Sequence, residues 1–111
     1  MAAAVVLAAP GASADLTNGN VTVAGDTHVA GQTYTVSAKA IIGGTSVRFI
    51  DRKTRSNIDI TEIGIAPAGP DLIARISRTP AVTGSRTVIA EQLNFSGGVY
   101  SVIGWVEVPV S

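Results

Sequence analysis

Arg75-Ile76-Ser77-Arg78-Thr79-Pro80-Ala81-Val82-Thr83-Gly84-Ser85-Arg86-Thr87-Val88-Ile89-Ala90-Glu91-Gln92 is the stretch whose reading decides the fold. A strand runs up to Arg78, and Pro80 then removes a backbone donor, so the strand cannot continue through it. Ala81 to Gly84 is a connection. Arg86 to Ala90 resumes period-two alternation, with Val88 and Ala90 on one face and Thr87, Ile89 and Glu91 on the other. The stretch reads as two strands that cross from one layer of a sandwich to the other.

Working outward, the same grammar recurs. Thr33 to Ala40 alternates, with Tyr34, Val36, Ala38 and Ala40 on one face and Thr33, Thr35, Ser37 and Lys39 on the other, as expected of a half-buried antiparallel strand. Val21-Thr22-Val23 is a short edge strand after the turn-like Thr17 to Asn20. Beyond Gly43-Gly44, Ser46 to Asp51 places Val47 and Phe49 on one side and Arg48 and Ile50 on the other, and Phe49 is the expected central aromatic of the core. Asp51 to Asn57 reads as a charged hairpin turn, with alternation resuming at Ile58 to Thr61 and breaking at Pro67-Ala68-Gly69-Pro70. Leu72, Ala74 and Ile76 share a face. Asn94-Phe95-Ser96-Gly97-Gly98 is a hairpin turn signal. The final strand, Val99 to Val110, is nearly all apolar, with Tyr100, Val102, Val106, Val108 and Val110 in one phase and Ile103 and Trp105 in the other. About seven short strands predict an all-β, immunoglobulin-like sandwich of antiparallel strands in Greek-key order.

Composition agrees. The 111 residues suffice for one domain with a real core, and 46% of them are apolar. With no cysteine, no disulfide or thiol chemistry is available. Eight basic and eight acidic residues cancel, which argues against nucleic-acid binding driven by net charge. Residues 1–14 combine an apolar run, Ala2 to Ala9, with a small-residue Ala12-Ser13-Ala14 site, as in the remnant of an export signal. Residues 15–111 are then a single secreted domain. The apolar run is too short to span a bilayer, so a transmembrane protein is not expected.

The residues also resemble a family. Val47-Arg48-Phe49-Ile50-Asp51, the strand ending in Arg78-Thr79-Pro80, and Gly84-Ser85-Arg86-Thr87-Val88-Ile89-Ala90 resemble the bacterial Ig-like repeat domains of secreted and surface proteins. Arg78 stands where that family commonly has Trp, and Arg86 where it often has an aromatic or His. The resemblance implies an extracellular scaffold, adhesion or binding module at the cell surface that is not an enzyme, and it carries no catalytic residues. An accessory domain, or a small secreted enzyme or inhibitor acting on an anionic envelope ligand, is the alternative.

No catalytic set, metal site or cofactor motif is legible. His28 is the sole histidine and reads as a surface residue, since a metal or base site needs convergent partners. A calcium site at Asp51 would match no known loop spacing. Two glycosylation-type triplets, Asn20-Val21-Thr22 and Asn94-Phe95-Ser96, are too short to carry weight. The basic residues are more informative, because Arg48, Arg52, Lys53, Arg55, Arg75, Arg78 and Arg86 all fall between positions 48 and 86. Such a set can hold an anionic glycan, another envelope component or a protein partner. The ordinary alternative is a solvated face paired with Asp51, Asp59 and Asp71. The last strand offers an edge for pairing with a second copy, with Tyr100, Ile103 and Trp105 as interface residues.

Overall fold

A computed structural model describes residues 14–42, 45–57, 59–94 and 98–111. Residues 1–13, the Gly43-Gly44 turn, Ile58 and the Phe95 to Gly97 part of the hairpin signal lie outside the described residues. Among the described residues there are eight strands and no helix: β1 (Leu16–Asn18), β2 (Val21–Val23), β3 (Tyr34–Lys39), β4 (Ser46–Lys53), β5 (Thr61–Pro67), β6 (Ile73–Arg78), β7 (Gly84–Asn94) and β8 (Val99–Val110). They form two antiparallel four-stranded sheets, in the orders β1-β2-β3-β6 and β5-β4-β7-β8. The chain changes sheet between β3 and β4, between β5 and β6, and between β6 and β7. The last change is the crossing that Pro80 and Gly84 announce.

The faces that alternation marks as apolar meet between the sheets. Val21, Val23, Tyr34, Val36, Ala38 and Ala74 come from one sheet, and Val47, Phe49, Val88, Ala90, Val106 and Val108 from the other. Burial of these small and β-branched side chains drives the packing. Phe49 is wholly buried, and its register partners on either side are Gly64 and Ala90, so one large ring fills space that two small neighbours leave.

The turn expectations needed correction in three places. Strand β4 runs on to Lys53, so Asp51 belongs to a strand and is fully buried, and the turn is confined to the residues that follow. The turn-like Leu16 to Asn20 contains β1, which folds back on β2 through Gly19 at φ 61°. Leu72 sits outside β6 with φ 67°, leaving Ala74 as the fully buried member of its set.

In β8 a register shift opposite Ala90 and Glu91 makes Ile103 an extra residue. Such a bulge inverts the facing of what lies beyond it. Val106, Val108 and Val110 therefore point inward, whereas Tyr100 and Val102 point outward with Trp105, so one apolar strand serves two faces. The bulge brings Gly104 against the β1–β2 turn, where a methyl group would lie 2.9 Å from Val21 Cγ2 and 3.0 Å from the Asn20 nitrogen. Gly104→Ala is expected to cost about 1–3 kcal/mol through overpacking, read as a lower urea midpoint at unchanged slope. A neutral result would mean that the turn moves freely away from β8.

Candidate functional site

The outer face of the β5-β4-β7-β8 sheet is where exposed apolar and charged side chains meet. Register fixes its rows. Ile50, Ile89 and Trp105 align across β4, β7 and β8; on one side of them lie Arg48, Glu91 and Val102, and on the other Arg52, Thr87 and Glu107. Trp105 is 47% exposed, Val102 57% and Ile65, paired with Arg48, 52%. Natural sheet faces open to water are mostly polar, so this apolar row is the feature to be explained.

The row ends in a groove of about 280 Å³ lined by Arg52, Thr54, Arg55, Thr87, Ile89, Val102, Trp105 and Glu107. The turn after β4 builds one wall. Thr54 Oγ1 lies 2.8 Å from Ser85 Oγ and 3.1 Å from Thr87 Oγ1, which anchors the turn on β7. Arg52 Nη1 donates to the Ser56 carbonyl at 2.9 Å and to Asn57 Oδ1 at 3.2 Å, holding the turn closed. Arg55 occupies the left-handed region at φ 61°, a conformation that disfavours non-glycine residues and tends to be kept at functional positions.

The seven basic residues of the sequence reading do not share one face. Arg52 and Arg55 line the groove, with Lys53 between them in sequence at the end of β4. Arg48 lies higher on the same face, where its guanidinium sits 4.2 Å above the Tyr100 ring and 2.6 Å from Glu91 Oε1. Arg75, on the other sheet, pairs with Asp71 at 2.8 Å. That contact and the Ile73 amide hold the Asp71 carboxyl below its usual range.

Arg78 and Arg86 turn inward onto Asp51. Arg86 Nε donates to Asp51 Oδ1 at 2.6 Å, Arg78 Nε to Asp51 Oδ2 at 3.0 Å, and Arg86 Nη1 reaches Asp59 Oδ2 at 2.7 Å. Asp51, Asp59 and Asp71 pair with Arg78, Arg86 and Arg75, whereas the partners of Arg48 are Glu91 and Glu62, which the sequence did not single out. However, Asp51 and Arg86 pair inside the sandwich rather than on a solvated face, because their strand phase is that of Phe49 and Val88.

His28 is corrected as well: it is 4% exposed, its Nε2 bonds the Ala24 carbonyl at 2.9 Å, and its ring meets Tyr34 edge-on at 4.9 Å. The residues around it bind the end of β8, since the His28 carbonyl accepts from the Ser111 amide and the Ala30 amide donates to the Ser111 carbonyl. Burial raises the Tyr34 hydroxyl to about 12, with the charge of Asp51 adding to the effect and Arg78 and Arg86 opposing it. The unfolded chain loses this proton near pH 10, so folding stability falls as pH rises from about 10 towards 12. Tyrosinate absorbance at alkaline pH should show a late step that Tyr34→Phe removes; a Tyr34→Phe titration identical to wild type would disprove the assignment.

Tyr100, Ile103 and Trp105 separate. Tyr100 and Trp105 point outward, while Ile103 is the bulge residue and packs against the core cluster. The β8 edge is partly guarded, by the bulge, by Pro109, which has no amide to offer, and by the β1–β2 turn against Gly104. The sequence reading missed Gln92. Its buried Oε1 accepts from the amides of Ile41 and Ile42, at 2.5 and 3.0 Å, and so ties the β3–β4 connection to β7.

No protein-family model and no curated protein matches the chain. Among solved structures it is similar to a superoxide reductase (neelaredoxin) from Ignicoccus hospitalis, with TM-score 0.57 and 8% identity over 87% of this chain and 83% of that one. A variant of that reductase aligns with TM-score 0.55 and 11% identity over 94% and 86%. The soluble domain of PmoD from Methylocystis aligns at TM-score 0.49 and 11% identity, over 87% and 97%. At these identities the likeness is one of fold. It corrects the expectation that the chain is not an enzyme: that expectation rested on the sandwich belonging to a class without catalytic members, and superoxide reductases are enzymes with a similar sandwich.

Proposed function

We propose that the chain is an exported, immunoglobulin-like binding module of the bacterial cell surface whose ligand face is the outer side of the β5-β4-β7-β8 sheet. One observation carries this reading: Trp105, half-exposed, stands in a groove whose rim is formed by Arg52, Arg55 and Glu107. A large aromatic left open to water between charged side chains is the usual anchor of a binding surface. The change of sheet on either side of β6, and the Ala12-Ser13-Ala14 site, support the immunoglobulin-like and export parts of the proposal. Retention of the protein on envelope fractions tests it. Trp105→Ala should lower retention at least tenfold with an unchanged melting curve, and equal retention would reject this face as the ligand site.

Redox chemistry of the kind named for the similar superoxide reductases calls for a different donor set. Imidazole and thiolate are the side chains that suit redox metals, and the chain has one histidine and no cysteine. His28 is buried against Ala24 and Tyr34, and among the described residues no three His, Cys, Asp or Glu side chains gather. These residues do not fit such a centre, and no step is derived through one.

A further inference from the structure

The geometry points to a carboxylate-bearing sugar, of the uronic acid class, as the ligand of the Trp105 groove, an inference that rests on the proposed binding face. Arg52 is the first reason. Its Nη1 is fixed by the Ser56 carbonyl and Asn57, while its Nε is buried without a partner. Arg52 and Arg55 both line the groove, and two guanidinium charges beside one small site favour a carboxylate ligand.

The floor is the second reason. Ile89 and Trp105 form an apolar row directly beside the polar row Arg52, Thr87 and Glu107. A pyranose has the matching anatomy, with C–H faces that lie on an indole and hydroxyls around its rim. Arg52 and Glu107 stand two strands apart, about 10 Å. Glu107 then accepts from hydroxyls at the end of the ring away from the carboxylate, and Arg55 and Thr54 complete the rim. A groove of about 280 Å³ lies near the lower end of the range of small-ligand sites.

Trp105 is the sole tryptophan, so its emission reports the site directly. The full chain should show saturable quenching by trigalacturonate, with a neutral trisaccharide at least tenfold weaker. Arg52→Gln should reduce trigalacturonate binding to the neutral level, and Trp105→Ala, followed by calorimetry, should weaken it at least tenfold, both with unchanged circular dichroism. Equal affinity for acidic and neutral sugars, binding of hexaglutamate as tight as trigalacturonate, or an unaffected Arg52→Gln variant overturns the ligand class. Envelope retention measured in parallel separates the two claims. Retention that depends on Trp105 without uronate binding overturns only the acidic sugar, and retention that ignores Trp105 overturns the binding face itself.

Discussion

Asp51→Ala is expected to destabilise the protein by about 3–5 kcal/mol, the loss seen when one partner of a buried ion pair is removed. Asp51 is fully buried and gives one carboxylate oxygen to Arg86 and the other to Arg78. Without it, Arg86 keeps only Asp59, whose side chain is 58% exposed and so a weakly held counter-charge, and Arg78 loses the oxygen to which its Nε donates. The effect is one of desolvation: the guanidinium groups have already left water, and their compensation is withdrawn. Replacing the ions together should behave differently, because apolar side chains of similar volume often substitute for a buried pair at little loss. Asp51→Leu combined with Arg86→Met should therefore recover part of what Asp51→Ala loses, the remainder being the contact of Arg78, whose side chain is 19% exposed and turns to water instead. Urea unfolding of the three proteins decides it. A loss below about 1 kcal/mol for Asp51→Ala would place the cluster in water, contrary to its burial.

That cluster also shows where sequence reading stopped. Alternation located the strands and the inward phase of Phe49, Val88 and Val108, because side-chain direction in a strand follows from parity alone. Parity equally places Asp51 and Arg86 inward, but charged residues between strands read as turn or solvent, and their mutual compensation becomes visible only once β4, β6 and β7 are adjacent. The same holds for Trp105. A strict period of two joins Tyr100 and Val102 to Val106, and the bulge at Ile103 separates them. Gly104 is the local sign of that bulge, since an isolated glycine inside a strand pattern marks a bulge or a close backbone approach, and here the β1–β2 turn lies against it. The arginines looked like one group because they are neighbours in sequence, whereas crossing between sheets distributes them over two outer faces and the interior.

Phe49→Ala is expected to cost about 3–5 kcal/mol, by loss of buried apolar surface and by the cavity left behind. The surroundings favour the upper part of that range. In register Phe49 lies between Gly64 and Ala90, neither of which has a side chain able to move into the vacated space. Above Gly64, Ile76 Cδ1 already stands 2.7 Å from where a β-carbon would be, so the facing sheet is in contact there and has little room to descend. Antiparallel pairing on both sides of β4 further opposes collapse, since moving β4 inward would break ladders with β5 and β7 together. Phe49→Leu retains most of the volume and should lose much less. Urea unfolding with a shared slope measures both variants. A Phe49→Ala protein within about 1 kcal/mol of wild type would mean that the sandwich closes over the missing ring, and that the large-beside-small arrangement around Phe49 does not set the spacing of the two sheets.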